Sequence, residues 1–277
     1  MITPTSPSQS TETARPAPRR SAISWILLGL IFTPGMVRAE EGPAIETRIA
    51  AGAQIVPAYP GADHSRVQPF GNFSRASGDQ LLDAKAPEGA FAPQLVRTGN
   101  LTVGPSIAFV GARSLSDTDG RLARVGSTVE LGGFATYRLS PSLWLDGDIR
   151  RGVNGHKGWV GTIGADYAAR GKGPTLITFG PRLTFSDGRY QRAYFGVATN
   201  DAAPDLGAFR PGGGLQAVGG NLGVTRRIAG RWGVYAYARY DRLVADAGRS
   251  PVVRAFGSRD QVSGGLALSY AFGRRDR

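Results

Sequence analysis

His64 and His156 are the two histidines of this chain, and it has no cysteine. Acid–base or nucleophilic chemistry needs a histidine within hydrogen-bond reach of a hydroxyl, a thiol or a carboxylate. His156 sits in Gly152-Val153-Asn154-Gly155-His156-Lys157-Gly158, with no Ser or Asp at a fixed short spacing. A role in shaping this glycine-rich turn is the favoured reading, with a partner from a neighbouring strand left open. His64 follows Asp63 in a loop, and the sequence names no further ligands that would make a metal site. Gly212-Gly213-Gly214 after Pro211 lacks the strand–loop–helix setting of a phosphate loop. It reads instead as a strand start packed close to its neighbours. No catalytic residue, cofactor or metal is proposed, and the interest passes to basic clusters: Arg226-Arg227, the tail Arg274, Arg275 and Arg277, and Arg121 with Arg124.

The elements that must position these residues show a period of two. In Gly264–Phe272, Leu266, Leu268, Tyr270 and Phe272 share one face, and Gly265, Ala267, Ser269 and Ala271 share the other. An apolar face ending in aromatics, backed by a small or polar face, is the pattern of a strand between lipid and lumen. At the other end of the chain Arg15, Arg19 and Arg20 precede the apolar run Ala22–Phe32, which is too short to span a bilayer as a helix. This predicts a signal peptide over 1–39, with Val37 and Ala39 at the cleavage positions and a mature start at Glu40.

Between these ends alternation bounded by Gly, Pro, Asn and Asp predicts about twelve strands, with ten as the alternative. They are 45–56, 66–77, 79–84, 100–111, 125–138, 142–153, 158–169, 174–186, 189–199, 212–228, 231–244 and 258–272. Trp159 shares a face with Tyr167, and Trp232 with Tyr240, each pair eight residues apart. Eight residues of strand tilted by about 40° rise roughly 20 Å, close to the apolar band of an outer membrane. The opposite faces carry Glu130, Arg138, Asp146, Asp148, Arg150, Asp166, Arg182, Arg239 and Asp241, nearly balanced in charge. The expected fold is all-β: a transmembrane antiparallel up-and-down β-barrel over 40–277 with a short basic periplasmic tail at 273–277, its lumen plugged by its own paired side chains. A selective pore is the sharper alternative. Two Gly-Pro pairs in similar contexts, Gly104-Pro105 and Gly180-Pro181, predict a bend or bulge in each host strand.

Composition agrees with export. The chain has 40 Gly and no Cys, and a leader carrying Arg15, Arg19, Arg20 and Arg38 against Glu12 leaves +9 of the formal +12. Export to the envelope excludes nucleic acid as the partner of this charge. It substitutes lipopolysaccharide phosphates, peptidoglycan carboxylates or an acidic protein.

With both termini periplasmic, Ser186–Gly188 and Ala229–Gly230 are expected on the periplasmic side, and Asn200–Arg210 and Ala245–Gly257 outside. The same strand count puts the long Ala112–Arg124 segment in the periplasm and tight Ser140–Pro141 outside, against the usual asymmetry. Either a hairpin is miscounted there or that segment joins the tail in one partner-binding surface with Arg121, Arg124, Arg274, Arg275 and Arg277 as its charges.

Several motifs together resemble the MltA-interacting protein family, also called the MipA/OmpV family of outer-membrane proteins. They are Pro57-Ala58-Tyr59-Pro60-Gly61-Ala62-Asp63; Leu101-Thr102-Val103-Gly104-Pro105 with Gly111-Ala112-Arg113; Asp187-Gly188-Arg189-Tyr190 followed by Tyr194-Phe195-Gly196-Val197; Phe209-Arg210-Pro211-Gly212-Gly213; and Ser250-Pro251-Val252-Val253 before Ser269-Tyr270-Ala271-Phe272. The resemblance implies an outer-membrane scaffold joining a lytic transglycosylase to a peptidoglycan synthase, in contact with lipid and with peptidoglycan. For other members it implies adhesion or small-solute permeation. It supplies no catalytic residue, and a lipid-modifying enzyme ranks lowest. The tail beyond Phe272 departs from barrels that end on the aromatic.

Overall fold

The computed structural model describes residues 45–77, 90–170 and 173–273. The expected signal peptide, the strand over 79–84 and the arginines at 274, 275 and 277 lie outside the described residues.

Eleven strands occur among the described residues: β1 (Ile45–Pro57), β2 (Ser65–Ser77), β3 (Val96–Thr98), β4 (Leu101–Val110), β5 (Thr128–Ser140), β6 (Leu143–Gly152), β7 (Trp159–Arg170), β8 (Thr175–Ser186), β9 (Gly214–Ala229), β10 (Trp232–Leu243) and β11 (Asp260–Phe272). They form one antiparallel sheet in the order β2-β1-β11-β10-β9-β8-β7-β6-β5-β4-β3. The last strand closes on the first, with Phe272 opposite Thr47. The two sheet edges are also bridged: Arg66 Nη2 donates to Phe109 O at 2.8 Å and the Gln94 amide to Phe73 O at 3.4 Å. The sheet thus curls round on itself and brings its two edges together, the arrangement that limits exposed edge groups in lipid.

The strand faces follow the alternation. Leu266 is 61% and Ile149 57% exposed on the outer face, whereas Asp166 is 0% and Arg182 2% exposed inside. Soluble proteins bury these residue types the other way round. Outer aromatics gather at both ends: Trp232 lies edge-to-face on Tyr270 and Tyr270 on Phe272 at one end, while Trp159 starts β7 at the other. Of the two Gly-Pro pairs, Gly104-Pro105 keeps an unbroken register against β5. At Gly180-Pro181 the β7–β8 ladder passes directly from Gly164↔Arg182 to Tyr167↔Phe179, an interruption without an inserted residue.

One expected strand is a helix. Residues 189–199, read above as a strand, contain α1 (Gly188–Phe195). Asp187 caps it, its carboxylate accepting from the Tyr190 amide at 2.8 Å, and Tyr190, Gln191, Tyr194 and Phe195 are buried at helical spacing. Two further short helices, α2 (Ala245–Arg249) and α3 (Pro251–Phe256), lie between β10 and β11.

Removing a strand there reverses the direction expected for β4 to β8, while β1 and β2 keep theirs because β1 pairs antiparallel with β11. The connections 58–64, 111–127, 153–158, 187–213 and 244–259 all fall at one end of the sheet, the mouth. The short turns 99–100, 141–142 and 230–231 fall at the other, together with the end of β7 and the start of β8. Ala112–Arg124 therefore belongs with the long connections and Ser140–Pro141 with the tight turns, which restores the usual asymmetry in the middle of the chain.

Candidate functional site

The mouth is capped by an apolar cluster that the long connections build together. Ala58, Tyr59 and Ala62 come from the β1–β2 connection, Val125 from β4–β5, Tyr190, Tyr194 and Phe195 from α1, and Ala247 and Val253 from α2 and α3. Tyr194 and Phe195 are fully buried. Each aromatic removes about 150–250 Å² from water, so the cluster has enough area to order these connections.

Polar bonds fix the cap's geometry. Ser250 Oγ accepts from the Val252 amide at 3.1 Å, capping α3, and donates to Phe195 O at 2.8 Å. One hydroxyl therefore ties the start of α3 to the end of α1. Buried Arg113 donates to Tyr194 O at 2.9 Å and Ala123 O at 3.0 Å. Burial lowers the pKa of its guanidinium and pushes the Tyr59 hydroxyl up to about 12, with Asp117 adding to the second shift. The Gly61 amide donates to Gln261 Oε1 and Gln261 Nε2 to Ala62 O, both at 3.0 Å, holding the β1–β2 connection to β11. Gly61 has φ +92°, and a Cβ on Gly257 would stand 2.0 Å from Gly61 O, so both glycines are required by this approach.

Four of the motif blocks behind the family resemblance converge here: Pro57–Asp63, Arg113, the two halves of 187–197, and Ser250–Val253. Phe209, from a fifth, bridges Val197. Leu101–Pro105 and Ser269–Phe272 lie toward the turn end.

Beneath the cap runs a charged lumen. Glu130 accepts from Arg150 Nε at 3.0 Å and meets His156 Nε2 at 3.1 Å. The Gly158 amide donates to His156 Nδ1 at 3.0 Å, so the proton sits on Nε2 and points at Glu130. The carboxylate partner thus comes from β5, 26 residues away. With both ring nitrogens so engaged, His156 acts as a link between its turn and the lumen wall, and Tyr190 packs edge-to-face on it at 4.6 Å. Further down, Arg182 Nη2 donates to both oxygens of Asp166 at 2.8 Å. Arg239 binds Asp241 and Thr184, Arg150 also pairs with Asp148, and Thr136 donates to Asp146 at 2.8 Å. Buried charges persist when partners fill their hydrogen-bonding sites. The expected self-neutralising lumen is what these distances describe. A cavity of about 220 Å³ lies between cap and lumen, bordered by Glu130, Arg150, Arg239 and Asp241. Toward the turn end Phe70 packs on Tyr235 and Tyr237, and Tyr237 donates to Gln54 at 2.5 Å.

His64 lies on the cap rim, 3.0 Å from Asp63 and 3.6 Å from Asp117. Among the described residues no group of His, Asp or Glu has metal-site geometry. Arg121 pairs with Asp205 through two bonds of 2.7 Å and lies over the Phe256 ring at 5.8 Å. Arg121 and Arg124 are both at the mouth, whereas Gly273, from which Arg274, Arg275 and Arg277 continue, is at the turn end. Arg274, Arg275 and Arg277, which the sequence reading joined with Arg121 and Arg124 in one surface, lie outside the described residues. The residues sequence reading missed are those of the cap. The Asp187 cap is the signal that could have pointed to α1.

The chain is similar, at low identity, to several solved outer-membrane proteins. An outer-membrane channel from Pseudomonas putida F1 is 12% identical, with 83% of this chain and 96% of that chain covered and a TM-score of 0.36. The outer membrane protein OprG from Pseudomonas aeruginosa is 10% identical, with 83% and 97% covered and a TM-score of 0.28. The attachment invasion locus protein Ail of Yersinia pestis is 9% identical, with 83% and 99% covered and a TM-score of 0.24. No curated protein matches the sequence. Residues 49–272, almost the whole of the described barrel, match the family described as MltA-interacting protein MipA, and the chain, an outer-membrane β-barrel protein, belongs to that family.

Proposed function

We propose that this protein is a non-enzymatic scaffold that holds peptidoglycan-processing enzymes beneath the outer membrane. The observation that carries the reading is membership, over residues 49–272, of a family described by its interaction with MltA, a lytic transglycosylase. Charge and topology support it. A barrel with short turns at one end and long connections at the other faces the periplasm with its turns. At that end Arg226 and Arg231 are exposed and Arg227 is half-buried, and Arg231 Nη2 donates to Gly273 O at 3.1 Å, beside the start of the tail. These three arginines give the turn end a basic rim suited to an acidic enzyme surface or to peptidoglycan carboxylates, and the sequence continues past Gly273 into Arg274, Arg275 and Arg277. Exposed charges act mainly on encounter rate, so the contact weakens as salt rises. Arg121 and Arg124, at the mouth, take no part.

The test is capture of the transglycosylase, a peptidoglycan synthase and purified peptidoglycan by the intact protein and by a variant with those six arginines changed to serine. Salt-sensitive capture lost in the variant supports the scaffold. Equal capture by both removes the rim from the mechanism. The cavity under the cap favours a second reading, a path for small solutes. Steady conductance in a reconstituted bilayer, with no capture, would select it.

A further inference from the structure

The mouth carries a second concave feature, outside the cap and the lumen. A cleft of about 860 Å³ opens between the β4–β5 connection, the turn bearing His156, α1 and the segment before β9. Five arginines line it: Arg113, Arg124, Arg189, Arg192 and Arg210, with Asp201 as the acid on its wall. Arg113 spends its bonds on the carbonyls of Tyr194 and Ala123. Arg124, Arg189, Arg192 and Arg210 are exposed. None of these four forms an ion pair among the described residues, in contrast to Arg121, Arg242 and Arg249, which each hold a carboxylate.

Like charges gathered on facing walls repel, and nothing in the cap requires them there. Arg189 and Arg192 are three residues apart on one face of α1, Arg124 comes from the β4–β5 connection and Arg210 from the segment beyond Val197. Guanidinium forks match phosphate oxygens in pairs and bind them more strongly than they bind neutral acceptors. The volume lies within the range of about 300–1,000 Å³ typical of small-molecule sites, well beyond a lone phosphate. Phe209 lies on the wall and is half-buried, offering an apolar surface for a sugar ring. We propose that this cleft binds a phosphorylated saccharide, with Arg124, Arg189, Arg192 and Arg210 holding its phosphates. The proposal is independent of the scaffold reading, which concerns the other end of the barrel.

The experiment measures binding by calorimetry to the detergent-solubilised full-length protein. Its soluble probes are glucose 1,6-bisphosphate, inorganic phosphate, trigalacturonate and glucose. Micelles carrying a bisphosphorylated lipid glycan, or its dephosphorylated form, distinguish a membrane source from a free one. The variant is Arg189→Ser, Arg192→Ser and Arg210→Ser, all exposed, and an unchanged shift on heating in gels confirms that it folds. Binding of the bisphosphate, or of the phosphorylated lipid glycan alone, that weakens with salt and falls about tenfold per arginine removed supports the site. Equal binding by the variant overturns it. So does binding of glucose as tight as of the bisphosphate, a preference for trigalacturonate, or no binding of any phosphorylated probe at low salt.

Discussion

Along the wall of the barrel Leu266, Ile149 and Phe109 point outward while Asp166, Arg182 and Glu130 point in; around its mouth Tyr194, Phe195 and Val253 are the buried residues and Arg124, Arg189 and Arg192 the exposed ones. The same chain follows opposite rules within one continuous stretch, from Thr175–Ser186 into Gly188–Phe195. The difference lies in the solvent. Against lipid, apolar side chains need no shelter and polar ones must turn to the lumen. Above the membrane the surroundings are water, and the ordinary drive to bury apolar area folds the connections inward.

The largest effect should come from the mouth. Phe195→Ala removes a fully buried ring from the centre of the cap, for an expected loss of about 3–5 kcal/mol. Urea titration of the protein in micelles measures it, and a loss no larger than that of an exposed substitution would show that the cap is not a core. Next is the wall, where Ala236→Arg near the membrane midplane should cost about 2–4 kcal/mol. Its neighbour Tyr237→Phe, which loses the bond to Gln54, should cost about 1 kcal/mol. A reversal of that order would mean that the two faces of β10 are assigned backwards.

Ser250→Ala comes third. It removes the α3 cap and the tie to Phe195, at about 1 kcal/mol, and should show as faster proteolysis within 244–259 while the wall stays intact. Cleavage at unchanged rate would break the claim that the two helices are tied. The smallest effect belongs to Arg121→Ala. The pair with Asp205 holds that carboxyl below its usual range, yet it is exposed to water and ions. No change in unfolding midpoint is expected, and a clear shift would mark this pair as part of the cap.

The wall was legible residue by residue. Ten of the expected strands coincide with observed ones to within about three residues, and Trp159, Tyr167, Trp232 and Tyr240 all stand on the outer face, between 43% and 50% exposed. Lipid enforces the period of two on every turn of the pleat, so each strand carries its own signal. The cap was not legible, and α1 shows why. Tyr190 and Tyr194 are four residues apart, a spacing that satisfies both a period of two and one near 3.6. Misreading that segment as a strand reversed the assigned direction of the strands from 100–111 to 174–186, which placed Arg121 and Arg124 at the end opposite the mouth.

The sequence by itself determined which residues face lipid and which face the lumen, that the sheet closes with Phe272 against the first strand, and that the lumen charges nearly balance. These are properties of local alternation, readable one strand at a time. Only the tertiary structure decided that Glu130 answers His156, that Asp166 answers Arg182, that Ser250 reaches Phe195 across 55 residues, and that the long connections fold into a lid. Such pairings depend on strand register and on where distant connections meet in space, and the order of residues along the chain does not specify either.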